Sequence, residues 1–306
     1  MSEPKLRPYL PDDATALEAL LSELEAPYGL EALLAGADGT PDPGWLICQE
    51  GVALGAATLS ARDMAPGVCA LRVAVHPRRR GQGLGRALAR AALTHPAAQH
   101  LTLEIAVPDD RPGLLAWAGR HGFAPVGHRI RSELELRADL EAVVLPADVR
   151  VTTLAQALQE ASDPETVWDA LHVLLAELAS QIPDEAGRRF TPQDVQLWAR
   201  GAPDLDPHST VLAYDGARLV GLVLMRAETP RLRHIGMTGV TQEWRGRGLA
   251  RVLKLEAARA SHAQGATHLR TDNDASNTAI LRLNRSLGYR SLGGLWRLRR
   301  PPVNDR

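Results

Sequence analysis

Cysteine is nearly absent from this chain of 306 residues, with Cys48 and Cys69 alone. A chain of this length buries enough apolar surface without staples, so the two residues read as buried free thiols in apolar, strand-like surroundings. Lysine is equally scarce: Lys5 and Lys254 stand among 35 basic residues, and the arginine excess reads as genome composition rather than chemistry. The ten histidines lack the H-x3-H and H-E-x-x-H spacings of a metal site, which excludes a recognisable metal motif. No apolar run reaches membrane-spanning length, and the opening MSEPKLRPYLPDD has no basic stretch followed by an apolar one. The formal net charge is -1, which argues against bulk attraction to nucleic acid or to a membrane surface. Together these absences predict a cytoplasmic protein that binds neither nucleic acid nor membrane.

Hydrophobic residues make up 45% of the chain and charged residues 23%, so a real core is expected and disorder is not. The length suits one large domain or two ordinary ones, and an internal repeat decides for two. Val240-Thr241-Gln242-Glu243-Trp244-Arg245-Gly246-Arg247-Gly248-Leu249-Ala250-Arg251 reads as a strand end, an Arg/Gly turn and the first turn of a helix. Leu249, Val252, Leu253, Leu255 and Ala258 then recur at the spacing of one apolar helix face. A near copy stands 165 residues earlier, as Val75-His76-Pro77-Arg78-Arg79-Arg80-Gly81-Gln82-Gly83-Leu84-Gly85-Arg86. In both copies glycines leave the turn backbone bare, so that its N–H groups and the helix start behind them suit an anion.

Around the two turns the order of elements repeats. Strands are expected at residues 5–9, 45–49, 52–60, 68–75 and 101–107, with helices at 14–21, near 30–34, from the turn to about 93, and at 112–120. Last strands follow at 123–136, and a charged bridge at 137–148. The second half is expected to place strands at 149–154, 210–214, 219–226, 234–241, 268–271 and 289–300. Its helices are expected at 166–179, 192–200, from the turn to 262, and at 277–287. Gly83 and Gly122 are 39 residues apart, and Gly248 and Gly288 are 40 apart, which supports duplication.

Arg80-x-x-Gly83-x-Gly85 and Arg245-x-x-Gly248-x-Ala250 resemble the Arg/Gln-x-x-Gly-x-Gly/Ala motif of the GCN5-related N-acetyltransferases, or GNAT family. Each is followed about 40 residues later by Gly122-Phe123 or Gly288-Tyr289. The resemblance implies an α/β protein with the mixed-sheet acyl-CoA N-acyltransferase fold, as two tandem GNAT domains related by duplication. On this reading residues 1–145 form a degenerate domain and 146–306 the catalytic one. It also implies acetyl-CoA. The pyrophosphate would be held by Arg80, Gly81, Gln82, Gly83, Leu84, Gly85 and Arg86 in one copy, and by Arg245, Gly246, Arg247, Gly248, Leu249, Ala250 and Arg251 in the other. The pantetheine arm would run along the strand ends carrying Val75, or Val240 and Thr241.

The family places an Asn beside that arm, here Asn277, which serves equally well as a helix cap. Position 284 is where many members have a tyrosine general acid. Asn284 can donate a hydrogen bond there but is no proton source at neutral pH. In the first half the corresponding positions are Arg111 and Ala118. Some members carry a Glu base six residues before the closing valine. Counting back gives His234 from Val240 and Cys69 from Val75. His234 suits a general base, since imidazole titrates near neutrality, or is a polar residue near a strand start. Asp184, Glu185 and Asp272 either attract a cationic acceptor or are solvated loop residues. Tyr214 and Glu228 have no stronger claim, and Tyr289 reads as core.

The leading reading is acetyl transfer from acetyl-CoA to a primary amine of a small molecule, by direct attack in a ternary complex, in a monomer or homodimer. Two alternatives stand beside it. One is acetylation of a protein N-terminus or lysine, and the other is a silent CoA-binding or structural protein.

Overall fold

Alternating apolar residues and tight glycine turns set the first strands. In the computed structural model, Lys5–Pro8 (β1), Gly44–Gln49 (β2), Val52–Ser60 (β3) and Val68–Val75 (β4) are strands. The β2–β3 hairpin turns at Glu50 and Gly51, both with positive φ (52° and 81°), the backbone that matches the right-handed twist of the flanking strands. Helices Ala14–Ser22 (α1), Leu84–Thr94 (α2), Pro96–His100 (α3) and Pro112–Arg120 (α4) and strands Thr102–Pro108 (β5) and Ala124–Glu135 (β6) complete the first half. The short α3 stands where the sequence suggests only a break. Pro96 suits a first helical position, and the His95 side chain accepts from the Ala97 N–H.

The second half comprises Val149–Thr153 (β7), Leu154–Glu160 (α5), Glu165–Ala179 (α6), Val211–Asp215 (β8), Arg218–Thr229 (β9), Leu232–Val240 (β10), Leu249–Ala263 (α7), His268–Asp274 (β11), Thr278–Ser286 (α8) and Arg290–Arg300 (β12). The structure describes residues 3–24, 42–61, 64, 67–138, 146, 148–179, 193 and 196–302. The expected helix at 30–34, most of the bridge at 137–148, and Asp184 and Glu185 lie outside them. Of the expected helix at 192–200, Gln196–Arg200 is described and forms a π-helical turn. No helix among the described residues is long and apolar enough to cross a membrane.

Contacts divide the chain into two compact units, Met1–His128 with Leu295–Arg306, and Arg129–Gly294. This differs from the division at 145/146 that the repeat suggests, and the reason is strand pairing. In the first unit the order is β1-β2-β3-β4-β5, closed by residues 295–300 of β12, which pair antiparallel with β5. In the second it is β7-β8-β9-β10-β11, closed by residues 129–135 of β6, which pair antiparallel with β11. Each sheet is thus completed by the last strand of the other half of the chain.

Each six-stranded sheet is covered on both faces. In the first unit Leu17 and Leu20 of α1 pack with Leu46, Ala53 and Ala56, while Leu88 of α2 packs with Ile47, Leu54 and Ala57. In the second, Leu171, Leu174 and Leu175 of α6 meet Leu212, Leu222 and Leu224. On its other face Leu249, Leu253 and Ala257 of α7 meet Val220, Val223 and Ile235. Each fully buried leucine contributes about 1.5–3 kcal/mol, so these stripes hold the helices on the sheets. A glycine marks each closest approach. A Cβ on Gly55 would lie 3.0 Å from Leu88, and one on Gly221 would lie 2.9 Å from Leu253. These glycines pair with Val75 and Val240, the strand ends that feed the two turns.

Candidate active site

Both Arg/Gly turns have the same backbone. Gly81 and Gly83 have φ of 79° and 82°, and Gly246 and Gly248 have 72° and 80°. This left-handed conformation strains any residue with a Cβ. A Cβ at any of the four would meet open space, so backbone conformation rather than protein packing demands glycine. Among the described residues, the N–H groups of Gly81, Gln82, Gly83, Leu84 and Gly85 have no acceptor, and neither do those of Gly246, Arg247, Gly248, Leu249 and Ala250. Unsatisfied donors at a helix start form a ready anion cradle. The chemistry of this donor set fits a pyrophosphate.

The side chains around the second cradle have separate duties. Leu249 and Thr241 are buried, and Val240 belongs to the core, so these side chains do not face the cradle, and the backbone N–H and carbonyl of Thr241 are bonded to Val220 and Trp244. The Arg247 guanidinium lies 5.1 Å above the Trp244 ring, and Arg251 Nη1 donates to Ser286 Oγ at 3.1 Å. Arg80, Arg86 and Arg245 are exposed beside the cradles.

Beside each cradle two parallel strands part. β10 pairs with β11 only from Leu232 with His268 to Ile235 with Thr271, although β10 continues to Val240 and β11 to Asp274. β4 and β5 pair only from Val68 with Thr102 to Ala70 with Glu104. The backbone of the earlier strand is left open along the gap, as an extended amide chain needs. In β10 the register against β9 shifts between Ile235 and Met237, a bulge at Gly236 that bends the strand. No such shift occurs between β3 and β4.

That bulge decides which residues face the gap. His234 stands one residue before the last β10–β11 pair, in register with Arg270 and Arg226. Its Nδ1 lies 2.9 Å from Glu228 Oε1, and its Nε2 lies 4.0 Å from Asp272 Oδ2. Asp272 accepts from Arg131 Nε and Nη2 at 2.9 and 3.1 Å. Arg270 donates to Glu133 and approaches Glu228 at 3.7 Å. The hydrogen bond from His234, with the charges of His234, Arg270 and Arg131, holds the Glu228 carboxyl below its ordinary range against the opposing effect of burial. Glu228, Arg131, Arg270 and Glu133 were missed as partners of His234. The available signal was period-two charge along 226–228, 129–135 and 270–274, which puts those residues on one sheet face.

The bulge also corrects the count in the first unit. Cys69 packs with Leu93 and Leu103 in the core on the α2 face, and burial raises its thiol pKa to about 11. His234 lies on the face opposite α7, so its positional counterpart in the first unit is Ala70, paired with Glu104. There the imidazole has no equivalent.

Helix α8 borders the second gap. Asn277 caps it, with Oδ1 accepting from the Ile280 N–H at 3.2 Å, so the capping role is filled. Asn284 is buried, and its Nδ2 donates to Asn273 Oδ1 at 2.8 Å. It ties α8 to the end of β11. Its Oδ1 is buried without a partner among the described residues. Tyr289 is core, and the Lys254 Nζ lies 4.9 Å from its ring centroid. Among the described residues neither Lys254 Nζ nor the Tyr289 hydroxyl has a hydrogen-bond partner. Burial lowers the Lys254 pKa to about 7 and raises that of Tyr289. In the first unit Arg111 precedes α4 without capping it, and buried Ala118 replaces the amide of Asn284.

The duplicated arrangement has clear parallels. The sequence profile of the Acetyltransferase (GNAT) family matches residues 13–123 and again 169–289. A mycothiol acetyltransferase of Thermomonospora curvata is 29% identical over 269 residues, covering 86% of this chain and 84% of that protein. One of Thermobispora bispora is 28% identical over 289 residues, covering 89% and 92%. Among solved structures, a GCN5-related N-acetyltransferase from Sphaerobacter thermophilus superposes with a TM-score of 0.71 at 22% identity, over 99% of this chain and 98% of that one. A tandem GNAT protein from the clavulanic acid biosynthesis pathway gives 0.68 at 21%, over 99% and 100%. The chain therefore belongs to this family, whose members use acetyl-CoA: it is a tandem GNAT protein and an acetyl-CoA-dependent N-acetyltransferase.

Proposed function

We propose that the second unit acetylates a primary amine of a small molecule, and that His234 is the base that prepares this amine. The observation that carries the reading is the position of His234, held by Glu228 where β10 and β11 part. A carboxylate on Nδ1 makes that nitrogen the N–H donor and leaves Nε2 to accept a proton. Asp272, 4.0 Å from Nε2, adds negative charge that attracts an alkylammonium before it is deprotonated.

Acetyl-CoA supplies an activated acetyl thioester, whose carbonyl carbon accepts the amine lone pair as the CoA thiolate departs. The cradle amides of Gly246, Arg247, Gly248, Leu249 and Ala250 are suited to its pyrophosphate, with charge from Arg245 and Arg251. The open backbone ending at Val240 is suited to the pantetheine amides, and Asn277 Nδ2 adds a donor beside them; Thr241 takes no part, because its N–H donates to the Val220 carbonyl and its carbonyl accepts from the Trp244 N–H. Asn284 orients the end of β11 and supplies no proton, so the leaving thiolate takes its proton from solvent.

The first unit keeps the cradle of Arg80, Gly81, Gln82, Gly83, Leu84, Gly85 and Arg86 beside Val75, but has Ala70 in the place of the imidazole and Ala118 in that of the amide. We assign it CoA binding without turnover. The relatives named mycothiol acetyltransferase support a small-molecule acceptor over a protein one. A screen of pooled small amines with acetyl-CoA, scored for amine-dependent release of CoA thiol, tests the proposal. Turnover only on peptides, or release of thiol without an amine, would overturn it.

A further inference from the structure

Five polar side chains of the second unit form a series inside its core. Lys254, Thr271, Asn284 and Tyr289 are buried, and Asn273 is half-buried. The Lys254 Nζ lies 4.9 Å from the Tyr289 ring centroid, and the Tyr289 N–H donates to the Asn284 carbonyl at 3.0 Å. Asn284 Nδ2 donates to Asn273 Oδ1 at 2.8 Å, and Thr271 Oγ1 reaches the same oxygen at 3.4 Å. The series joins α7 to the end of β11, where the second gap opens. Among the described residues, Lys254 Nζ, the Tyr289 hydroxyl and Asn284 Oδ1 have no hydrogen-bond partner. An ammonium buried without a counterion costs stability, and burial alone lowers the Lys254 pKa to about 7. Tyr289 is the titratable group that faces it, and the core around Tyr289, including Val240, Ala258 and Leu269, is otherwise apolar.

The duplication supplies an internal comparison. Along α2 and α7 the register of the two Arg/Gly turns sets Leu88 against Leu253, which approach the equivalent glycines Gly55 and Gly221. The next position sets Ala89 against Lys254. The pairing of β4 with β5 and of β10 with β11 sets Ile105 against Thr271 and Val107 against Asn273. The register of Gly122 and Gly288 sets Ala118 against Asn284 and Phe123 against Tyr289. Ala89, Ile105, Val107, Ala118 and Phe123 are all buried and apolar. The cation over Phe123 is Arg300, which reaches in from β12 and is half-buried. A fold requirement would act alike on both copies, so the polar series serves something that the second unit alone does.

We propose that Lys254 serves the leaving group, its ammonium stabilising the negative charge that collects on the CoA sulfur, a role that rests on the second unit being the one that acetylates. Thr271 and Asn273 alternate with Leu269, which packs under α7, whereas His234 and Asp272 lie on the opposite face. The cradle stands at the start of α7, so a thioester held there enters the gap from the α7 side. The amine meets it from the His234 side, and the sulfur departs on the side of the polar series. The amine nitrogen bonds to the carbonyl carbon, the C–S bond breaks with its electron pair on sulfur, and the amine proton goes to His234 Nε2. Lys254 transfers no proton and is a positioning residue, acting through the field of a cation in a low-dielectric core. Position 284 lacks a proton donor, and a cation on that side offsets the lack.

The test reads the thiol of bound CoA. The full chain is saturated with CoA, and the thiolate is followed by its ultraviolet absorbance against pH in the wild type, K254M and K254R, with each unliganded chain as baseline. In the second unit the thiol titrates about one pH unit lower in the wild type than in K254M, the equivalent of a tenfold gain in thiolate. K254R keeps the low value, because arginine stays charged. Turnover with saturating acetyl-CoA and the amine found in the screen falls about tenfold in K254M near neutral pH. The wild-type rate declines on its alkaline side toward that of K254M, which has no such limb. Methionine matches the lysine stem and removes a buried charge, so a folding defect does not produce this pattern. Identical thiol titrations in the wild type and K254M, an alkaline limb that persists in K254M, or equal rates would each overturn the proposal. The thiol titration needs no acceptor, so it decides the role of Lys254 even if the amine screen fails.

Discussion

His234 Nδ1 lies 2.9 Å from Glu228 Oε1, and the two residues come from adjacent antiparallel strands, β10 and β9. The bond selects the tautomer and turns the other nitrogen toward Asp272. The proposed chemistry therefore depends on a pair rather than on one residue.

His234→Ala is expected to lower turnover by roughly 10²–10⁴-fold, the range for losing a general base, with the affinity for acetyl-CoA unchanged. Glu228→Gln should cost less, since the imidazole stays but loses its orienting carboxylate. Rates measured against pH with the amine found in the screen decide this. An acidic limb that survives in His234→Ala moves the base to another group.

Substitution in the cradle should act on cofactor affinity. Gly248→Val forces a β-branched residue to φ near 80° and places its side chain in the space open to a pyrophosphate. CoA binding at the second unit should be lost, and the strained backbone should lower stability by about 1–3 kcal/mol. Gly83→Val should remove only the first unit's binding and leave turnover largely intact. Calorimetry with CoA counts the remaining sites. Equal losses of turnover in the two variants would show that both units catalyse.

Asn284→Tyr, the residue common in the family at this position, is expected to destabilise the second unit by about 1–3 kcal/mol through overpacking, because Asn284 is 2% exposed. Asn284→Ala loses the bond to Asn273 and should cost about 1 kcal/mol. Denaturant melts separate the two. A gain of turnover in Asn284→Tyr without loss of stability would show that the pocket holds a phenol and that leaving-group protonation limits the rate.

Lys254 should make stability depend on pH in the alkaline range. Its folded pKa of about 7 lies below the unfolded value, so between these two values the unfolded chain binds more protons and stability rises with pH. Below about 7 both states are protonated and the penalty is complete. Lys254→Met removes the desolvation cost, and should stabilise the protein by about 2–4 kcal/mol at pH 8 while flattening its pH dependence. Melts of both forms from neutral to alkaline pH measure the difference. Parallel curves would place the ammonium in contact with water.

Much of this architecture was legible in the chain. The strands Val52–Ser60 and Val68–Val75 and the helix Pro112–Arg120 lie where period and breakers put them. The cradles were legible because left-handed glycine, bare backbone and helix start are local properties written in six or seven consecutive residues. Asn277 was open between cap and ligand, and its bond to the Ile280 N–H fills the cap without using the amide nitrogen.

What the tertiary structure alone decided is where distant segments meet. Nothing in 129–135 or 295–300 names its partner, since an alternating strand pairs with any edge of matching face, and so each sheet took its last strand from the other half of the chain. The bulge at Gly236 changes the face of every residue before it, which separated His234 from the Cys69 that counting had matched to it. Nothing beside Lys254 in the sequence marks it as buried, and only the packing of α7 against Tyr289 put it inside. Local backbone preference is encoded residue by residue, whereas burial, pairing and protonation follow from neighbours far along the chain.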